Sequence, residues 1–281
     1  MTTPTFVFVH GSNSNSFSWG PLQRELALLG HRTLAVDLPG HGFAAAYPRA
    51  YQAPQDLAAL ASAPSAFAGL TQADAVQHVV DVVRRAAGHG PVLLVGHSRG
   101  GFTLTGVANA VPDLLHRVVY ISAWCCVAAD AAEYGRSPEN ATSVLGATTG
   151  VLVGDPGALG VLRMNWRTAD PALLDALKLA TLDDGTDAEF LAFLATLEPD
   201  EGLDAGTDRV DPVAWAGLAH TYVRLAGDRS VPPALQDRFI READALLPGN
   251  PFDVRTLDSS HVGFLVRPAA AAELLADLAS G

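Results

Sequence analysis

Residues 92–101 read VLLVGHSRGG: four aliphatic side chains, Val92 to Val95, then Gly96-His97-Ser98-Arg99-Gly100-Gly101. A short apolar run closed by glycine predicts a buried strand, and the residues beyond it, up to Pro112, have the spacing of a helix. The glycines around Ser98 permit a strand-to-helix turn too sharp for most side chains. A serine at that turn is lifted above the sheet and sits at a helix N-terminus, where the positive end of the helix favours a developing anion.

The same alternation extends to both sides. Residues 5–10 (TFVFVH), 32–37, 118–122, 221–226 and 252–257 predict further strands. Helical spacing marks residues 19–30, 71–87, 233–245 and 268–279. Strands alternating with helices predict an α/β fold with a mostly parallel central sheet and helices on both faces. Residues 43–69, rich in Ala and Pro, read as loops and short helices. Between 127 and 217 the strand pattern vanishes and helix-like blocks take over at 171–182 and 187–197. That stretch is the candidate helical cap insertion, so that 1–126 and 218–281 form the core and 127–217 the cap.

Composition narrows the function. With 49% hydrophobic and 17% charged residues in 281, the chain has the balance of a globular protein with a large core. A net charge of −12 argues against nucleic-acid binding, which needs clustered Lys and Arg. No apolar run reaches the roughly 18 residues of a membrane span, and no basic-then-apolar leader is evident, so a cytoplasmic protein without a membrane partner is expected. The only cysteines, Cys125 and Cys126, are neighbours and cannot join distant segments. No metal or cofactor is expected; the partner is a small-molecule substrate, and a homodimer is compatible with the sequence.

A serine hydroxyl needs a base within hydrogen-bond reach and an acid to orient that base. With Ser98 as nucleophile, the histidines that follow it are His116, His220 and His261. The first two lie where chain enters a strand, opposite the carboxyl ends. His261 follows the last strand, where a loop reaches over the site, and is the expected base. Asp228, directly after the strand at 221–226, is the expected acid, with Asp130 as the alternative; Asp37 and His10 read as structural. Acyl transfer also needs two donors for the oxyanion. The backbone N–H groups of Arg99 and Ser12 are the candidates. Trp124 and Asn13 are expected to line the substrate pocket, whereas Phe190, Phe193, Leu104 and Val107 are expected in the core.

At these residues the chain resembles the compact α/β-hydrolases that include plant methylesterases and hydroxynitrile lyases, with bacterial relatives. The resemblance runs through FVFVHG at 6–11, AVDLPGHG at 35–42, VLLVGHSRGG, VVYISA at 118–123, the stretch TYVRLAGDRSVPPALQDRFI at 221–240 and SSHVGFLVRP at 259–268. It implies the α/β-hydrolase fold and the same nucleophile, acid, base and oxyanion donors. His97 before the serine matches hydrolases of the group, where the plant lyases carry an acid. The sole lysine, Lys178, lies far in sequence from His261. The expected function is therefore a serine esterase or lactonase for a neutral, apolar small molecule. A lyase reaction on the same triad and a non-catalytic ligand-binding protein are the alternatives. Segment 127–217 carries 16 acidic against five basic residues, which reads as a solvated face or as a field disfavouring anionic substrates.

Overall fold

The computed structural model describes residues 4–65, 67 and 69–280; Ala66 and Ala68, inside the expected excursion at 43–69, and residues 1–3 of the N-terminus lie outside the described residues. In chain order the strands are β1 (Thr5–Val9), β2 (Arg32–Val36), β3 (Val92–His97), β4 (Leu115–Ile121), β5 (Val161–Arg163), β6 (Asp200–Gly202), β7 (Ala219–Leu225) and β8 (Asp253–Leu257). Six of them form one sheet in the order β2-β1-β3-β4-β7-β8, and every pairing in it is parallel. The chain forms an α/β fold around a parallel central sheet, as the alternation predicts.

Alternation along the strands divides the core into two layers, because successive side chains of a strand point to opposite faces. Val7 and Val9 of β1 join Leu94, Val118 and Tyr222 on one face, against the helices Gln72–Ala87, Gly100–Ala110 and Pro233–Leu246. Phe6 and Phe8 join Leu93, Val119 and Val223 on the other, against Gly20–Leu28 and Ala269–Ser280. Leu104 and Val107 are fully buried in the first layer, as expected. Each such side chain contributes about 1.5–3 kcal/mol by leaving water. Helix boundaries follow local chemistry: Thr71 and Asp74 form a capping box at the start of Gln72–Ala87, each satisfying a backbone N–H of the other's turn.

Two findings revise the reading of residues 127–217. The helices expected there are present as Pro171–Thr181 and Asp187–Leu194. Strands are present too: β5 and β6 pair antiparallel in a two-stranded sheet. Their sequences, VLR and DEG, are too short and too polar for periodicity to reveal. The second revision concerns charge. Glu198, Asp200 and Glu201 are 1%, 6% and 4% exposed, so these acids of the segment are interior groups and not part of a solvated face. Asp200 forms a two-pronged ion pair with the buried Arg163 guanidinium at 2.6 and 2.7 Å, and Arg163 also donates to the carbonyls of Leu60 and Ala63. A charge pair taken out of water holds only when its remaining hydrogen-bonding groups are satisfied in this way. No described helix is long and apolar enough to cross a membrane.

Candidate active site

Ser98 sits between β3 and the helix Gly100–Ala110, with φ of +53°. A left-handed serine is strained unless its surroundings hold it. Two glycines make the hold possible. A Cβ on Gly100 would lie 2.7 Å from the His10 carbonyl oxygen, and one on Gly101 would lie 2.1 Å from that of Trp124. The helix therefore enters the sheet too closely for any side chain at either position. The Trp124 N–H donates to the Ser98 carbonyl at 3.0 Å and ties the turn to the end of β4.

The other non-glycine residues with positive φ are Asn13 (+53°) and Ser122 (+41°). All three border the carboxyl ends of β1, β3 and β4, so backbone strain gathers where the sheet's loops converge. Such clustering is a mark of functional sites in general.

Asp228 follows β7 and is 3% exposed. Its Oδ1 accepts the N–H groups of Ser230 and Val231 at 2.7 and 2.9 Å, and its Oδ2 accepts from Ser122 Oγ at 2.5 Å. Oδ2 also lies 2.6 Å from His261 Nδ1. A carboxylate only accepts, so this geometry selects the tautomer with the proton on Nδ1, in which the neutral imidazole keeps a lone pair on Nε2. His261 and Ser98 both line one cavity of about 380 Å³. The Ser98 hydroxyl has no hydrogen-bond partner among the described residues, so it is free to turn towards His261 or a bound carbonyl. Asp228 and His261 are bonded directly, and His261 and Ser98 share the cavity wall without a hydrogen bond between them.

The alternatives lie elsewhere. Asp130 caps the helix Ala131–Gly135 by accepting the Glu133 N–H. Asp37 accepts the Ser16 N–H at 2.6 Å. His116 is exposed, and His220 bonds the Leu218 carbonyl through Nδ1 while packing on Trp215 and Phe252. His10 is buried with both ring nitrogens engaged: Nε2 accepts the Leu38 N–H at 3.1 Å, so Nδ1–H faces the Gly11 carbonyl at 2.9 Å. Burial and the neighbouring His41 push its pKa down to about 3, which keeps it neutral. Burial and the nearby His261 ring, 4.4 Å away between centroids, likewise hold His97 well below the usual histidine range.

Ser12 and Asn13 line the cavity, but their amides differ. The Asn13 N–H donates to Glu201 Oε2 at 2.7 Å, and its side-chain amide donates to the carbonyls of Glu198 and Pro199. Neither the Ser12 nor the Arg99 N–H is given to an acceptor among the described residues. Asn13 thus borders the pocket while its polar groups fasten the loop.

Trp124 departs from expectation. It is absent from the cavity wall, and its ring packs against Phe102 and Phe239 at 5.8 Å from each. The left-handed turn at Ser122, two residues earlier, separates Trp124 from the run of the strand, so extrapolating the strand fails there. Phe190 is in the core as expected, whereas Phe193 lines the cavity. Trp19, Met164 and Trp166 also line it and were not singled out by sequence. No Asp, Glu, Lys or Arg is among the described residues on its wall; Lys178 instead pairs with Asp187 at 2.5 Å.

Sequence reading also missed a buried ionic group behind the Ser12 loop. His41 Nδ1 donates to Glu198 Oε2 at 2.8 Å, and its Nε2 lies 3.7 Å from Glu201 Oε1. Burial alone would lower the His41 pKa, but hydrogen bonds and attraction from both carboxylates raise it to about 9. Burial alone would raise Glu201, yet His41, Arg99 and the Asn13 N–H bring it down to about 2. The one available signal was His41 itself, inside LPGHG.

Over residues 6–274 the chain matches the alpha/beta hydrolase family. It is 31% identical over 120 residues to an esterase of Mycobacterium tuberculosis, covering 43% of this chain and 33% of that protein. An alignment of 301 residues with the pyrethroid hydrolase of Sphingobium wenxiniae gives 24% identity and covers 99% of this chain and 89% of the other. The chain thus spans a third of the mycobacterial protein and most of the second. A solved methylesterase from Arabidopsis shares the fold at a TM-score of 0.68 and 18% identity, covering 99% of each chain. These findings agree with the resemblance drawn from the sequence motifs.

Proposed function

The chain belongs to the alpha/beta hydrolase family, and from that premise we propose that it is a cofactor-free serine carboxylesterase or lactonase for neutral, largely apolar small molecules. The observation that carries the reading is the Asp228 carboxylate, bonded to His261 Nδ1 at the edge of a cavity that Ser98 also lines. Relatives that are an esterase, a methylesterase and a pyrethroid hydrolase support an ester as the bond cleaved.

Ser98 Oγ attacks the ester carbonyl as His261 Nε2 takes its proton. The carbonyl oxygen becomes an oxyanion and is received by the N–H groups of Ser12 and Arg99. His261 returns the proton to the leaving alkoxide, and Asp228 stabilises the imidazolium between the two transfers. Water, activated by the same histidine, then releases the acid and restores Ser98. The cavity wall, mostly apolar and without Asp, Glu, Lys or Arg among the described residues, favours a neutral substrate, because a buried carboxylate or ammonium would lose its hydration without gaining a counter-charge.

The test is a fluorophosphonate probe with p-nitrophenyl esters of graded chain length and cyanohydrins as rival substrates. Labelling at Ser98 with ester turnover, both abolished in Ser98→Ala, is expected. Folded wild-type protein that resists the probe, or that cleaves cyanohydrins and not esters, overturns the reading.

A further inference from the structure

Glu201 bonds to both sides of the oxyanion site. On one side its Oε2 accepts the Asn13 N–H, the peptide group next to that of Ser12. On the other its Oε1 lies 3.4 Å from Nε of Arg99, whose own N–H is the second donor. The Arg99 guanidinium also donates to the carbonyls of Gly202 and Asp204, just beyond Glu201. Glu198 completes the attachment: its N–H donates to the Asn13 carbonyl at 2.8 Å, and its Oε1 accepts from the Asn15 side chain and the Gly42 N–H. Asn13, held at φ of +53°, is the residue this clamp bends.

We propose that Glu201 is a positioning residue for the oxyanion hole, holding the Ser12–Asn13 peptide and Arg99 in one register so that the two donor N–H groups converge. This rests on the assignment of Ser12 and Arg99 as oxyanion donors. Preorganised donors are the main source of transition-state stabilisation in such sites, and a displaced donor loses most of its effect.

A buried carboxylate close to a developing oxyanion would by itself oppose catalysis. The cluster offsets this in part: His41 and Arg99 stand directly against Glu198 and Glu201, while Asp37 and Asp204 lie at its margins. His41 is faced by these two carboxylates, by the neutral His10 ring at 4.5 Å and by the Phe67 ring at 5.0 Å, and the Asp37 carboxylate lies against the adjoining Gly42. Above pH about 9 His41 loses its proton and the cluster becomes more negative beside the loop. An alkaline decline in kcat follows, with KM little changed.

The experiment compares Glu201→Gln, Glu201→Ala and His41→Gln in the full chain. The readouts are kcat and KM for p-nitrophenyl butyrate from pH 6 to 10, inhibition by a trifluoromethyl ketone, which adds Ser98 to give an oxyanion, and thermal unfolding. Folded Glu201→Ala is expected to lose about ten- to hundredfold in kcat and in ketone affinity, with KM within about twofold. Glu201→Gln keeps the acceptor for Asn13, folds more readily and loses less. His41→Gln is expected to abolish the alkaline decline. Unchanged kcat and ketone affinity in either folded Glu201 variant overturns the proposal while leaving the esterase reading intact. Full activity in Ser98→Ala instead removes the reading beneath it.

Discussion

Ser122 donates its hydroxyl to Asp228 Oδ2 at 2.5 Å, the same oxygen that receives the His261 N–H. A carboxylate bonded at both oxygens cannot rotate away from the imidazole, and Ser122 makes its bond from a left-handed backbone. Ser122→Ala removes a hydrogen bond to a charged acceptor, worth about 1.5–3 kcal/mol. We expect kcat to fall about tenfold or more, since each 1.4 kcal/mol is a factor of ten, with KM nearly unchanged. Steady-state kinetics on a short-chain ester decide it; an unaltered kcat shows that the Ser230 and Val231 amides suffice.

Asp228→Asn leaves the shape of the site but removes the charge that orients His261, and turnover is expected to fall by about four orders of magnitude. Asp130→Asn replaces one good helix cap by another and is expected to leave both kcat and stability unchanged. Measuring the two side by side separates the acids; collapse of turnover in the Asp130 variant alone reverses their roles.

Stability is expected to peak near pH 6.5. His41, raised to about 9, keeps in the native chain a proton that the unfolded chain releases above 6.5. Its contribution is full below 6.5 and is lost as pH rises through about 9. His10, lowered to about 3, is neutral when folded and protonated when unfolded between about 3 and 6.5, so its contribution is present above 6.5 and lost on acidification. His97 and His220 are shifted in the same direction as His10. Glu201, lowered to about 2, adds a further loss as pH falls below 4.5. Urea midpoints at pH 4.5, 6.5 and 9 test this, and His41→Gln should flatten the alkaline side only. A wild-type midpoint still rising between pH 6.5 and 9 contradicts it.

Met164 lines the cavity from the residue after β5. A tryptophan there fills space that a long acyl or alcohol chain would occupy. Since one methylene in an apolar pocket is worth about 1–3 kcal/mol, Met164→Trp is expected to lower kcat/KM for p-nitrophenyl octanoate relative to the acetate by about tenfold or more. Equal loss on both esters would place the bound chain elsewhere.

The strands of the central sheet were legible because burial on both faces writes them as aliphatic runs, as in VLLV of β3. The positions of Ser98, Asp228 and His261 just past the carboxyl ends of strands were legible because each follows such a run by a few residues. The bonds of Ser122 were not, since a serine closing a strand has no pattern that announces its partner. Glu198 and Glu201 were hidden for a different reason. Acidic residues in a negatively charged stretch read as solvated, and only the arrival of His41 and Arg99 from distant parts of the chain makes their burial tolerable. Trp124 was misread because one left-handed residue redirects everything after it.

Residues 127–217 bond to the loops that carry the proposed acid, base and oxyanion donor. Ser230 donates to the Ala180 carbonyl beside Asp228, Val262 donates to that of Thr181 beside His261, Ser260 bonds Asp184, and Glu198 and Glu201 grip the Ser12 loop. On the proposed assignment the segment works as a jig and not as an interchangeable lid. Laboratory evolution towards new substrates should succeed through point changes on the cavity wall near Leu145, Leu162 and Phe193, whereas exchanging the whole insertion for that of a relative would disassemble the chemistry along with the specificity.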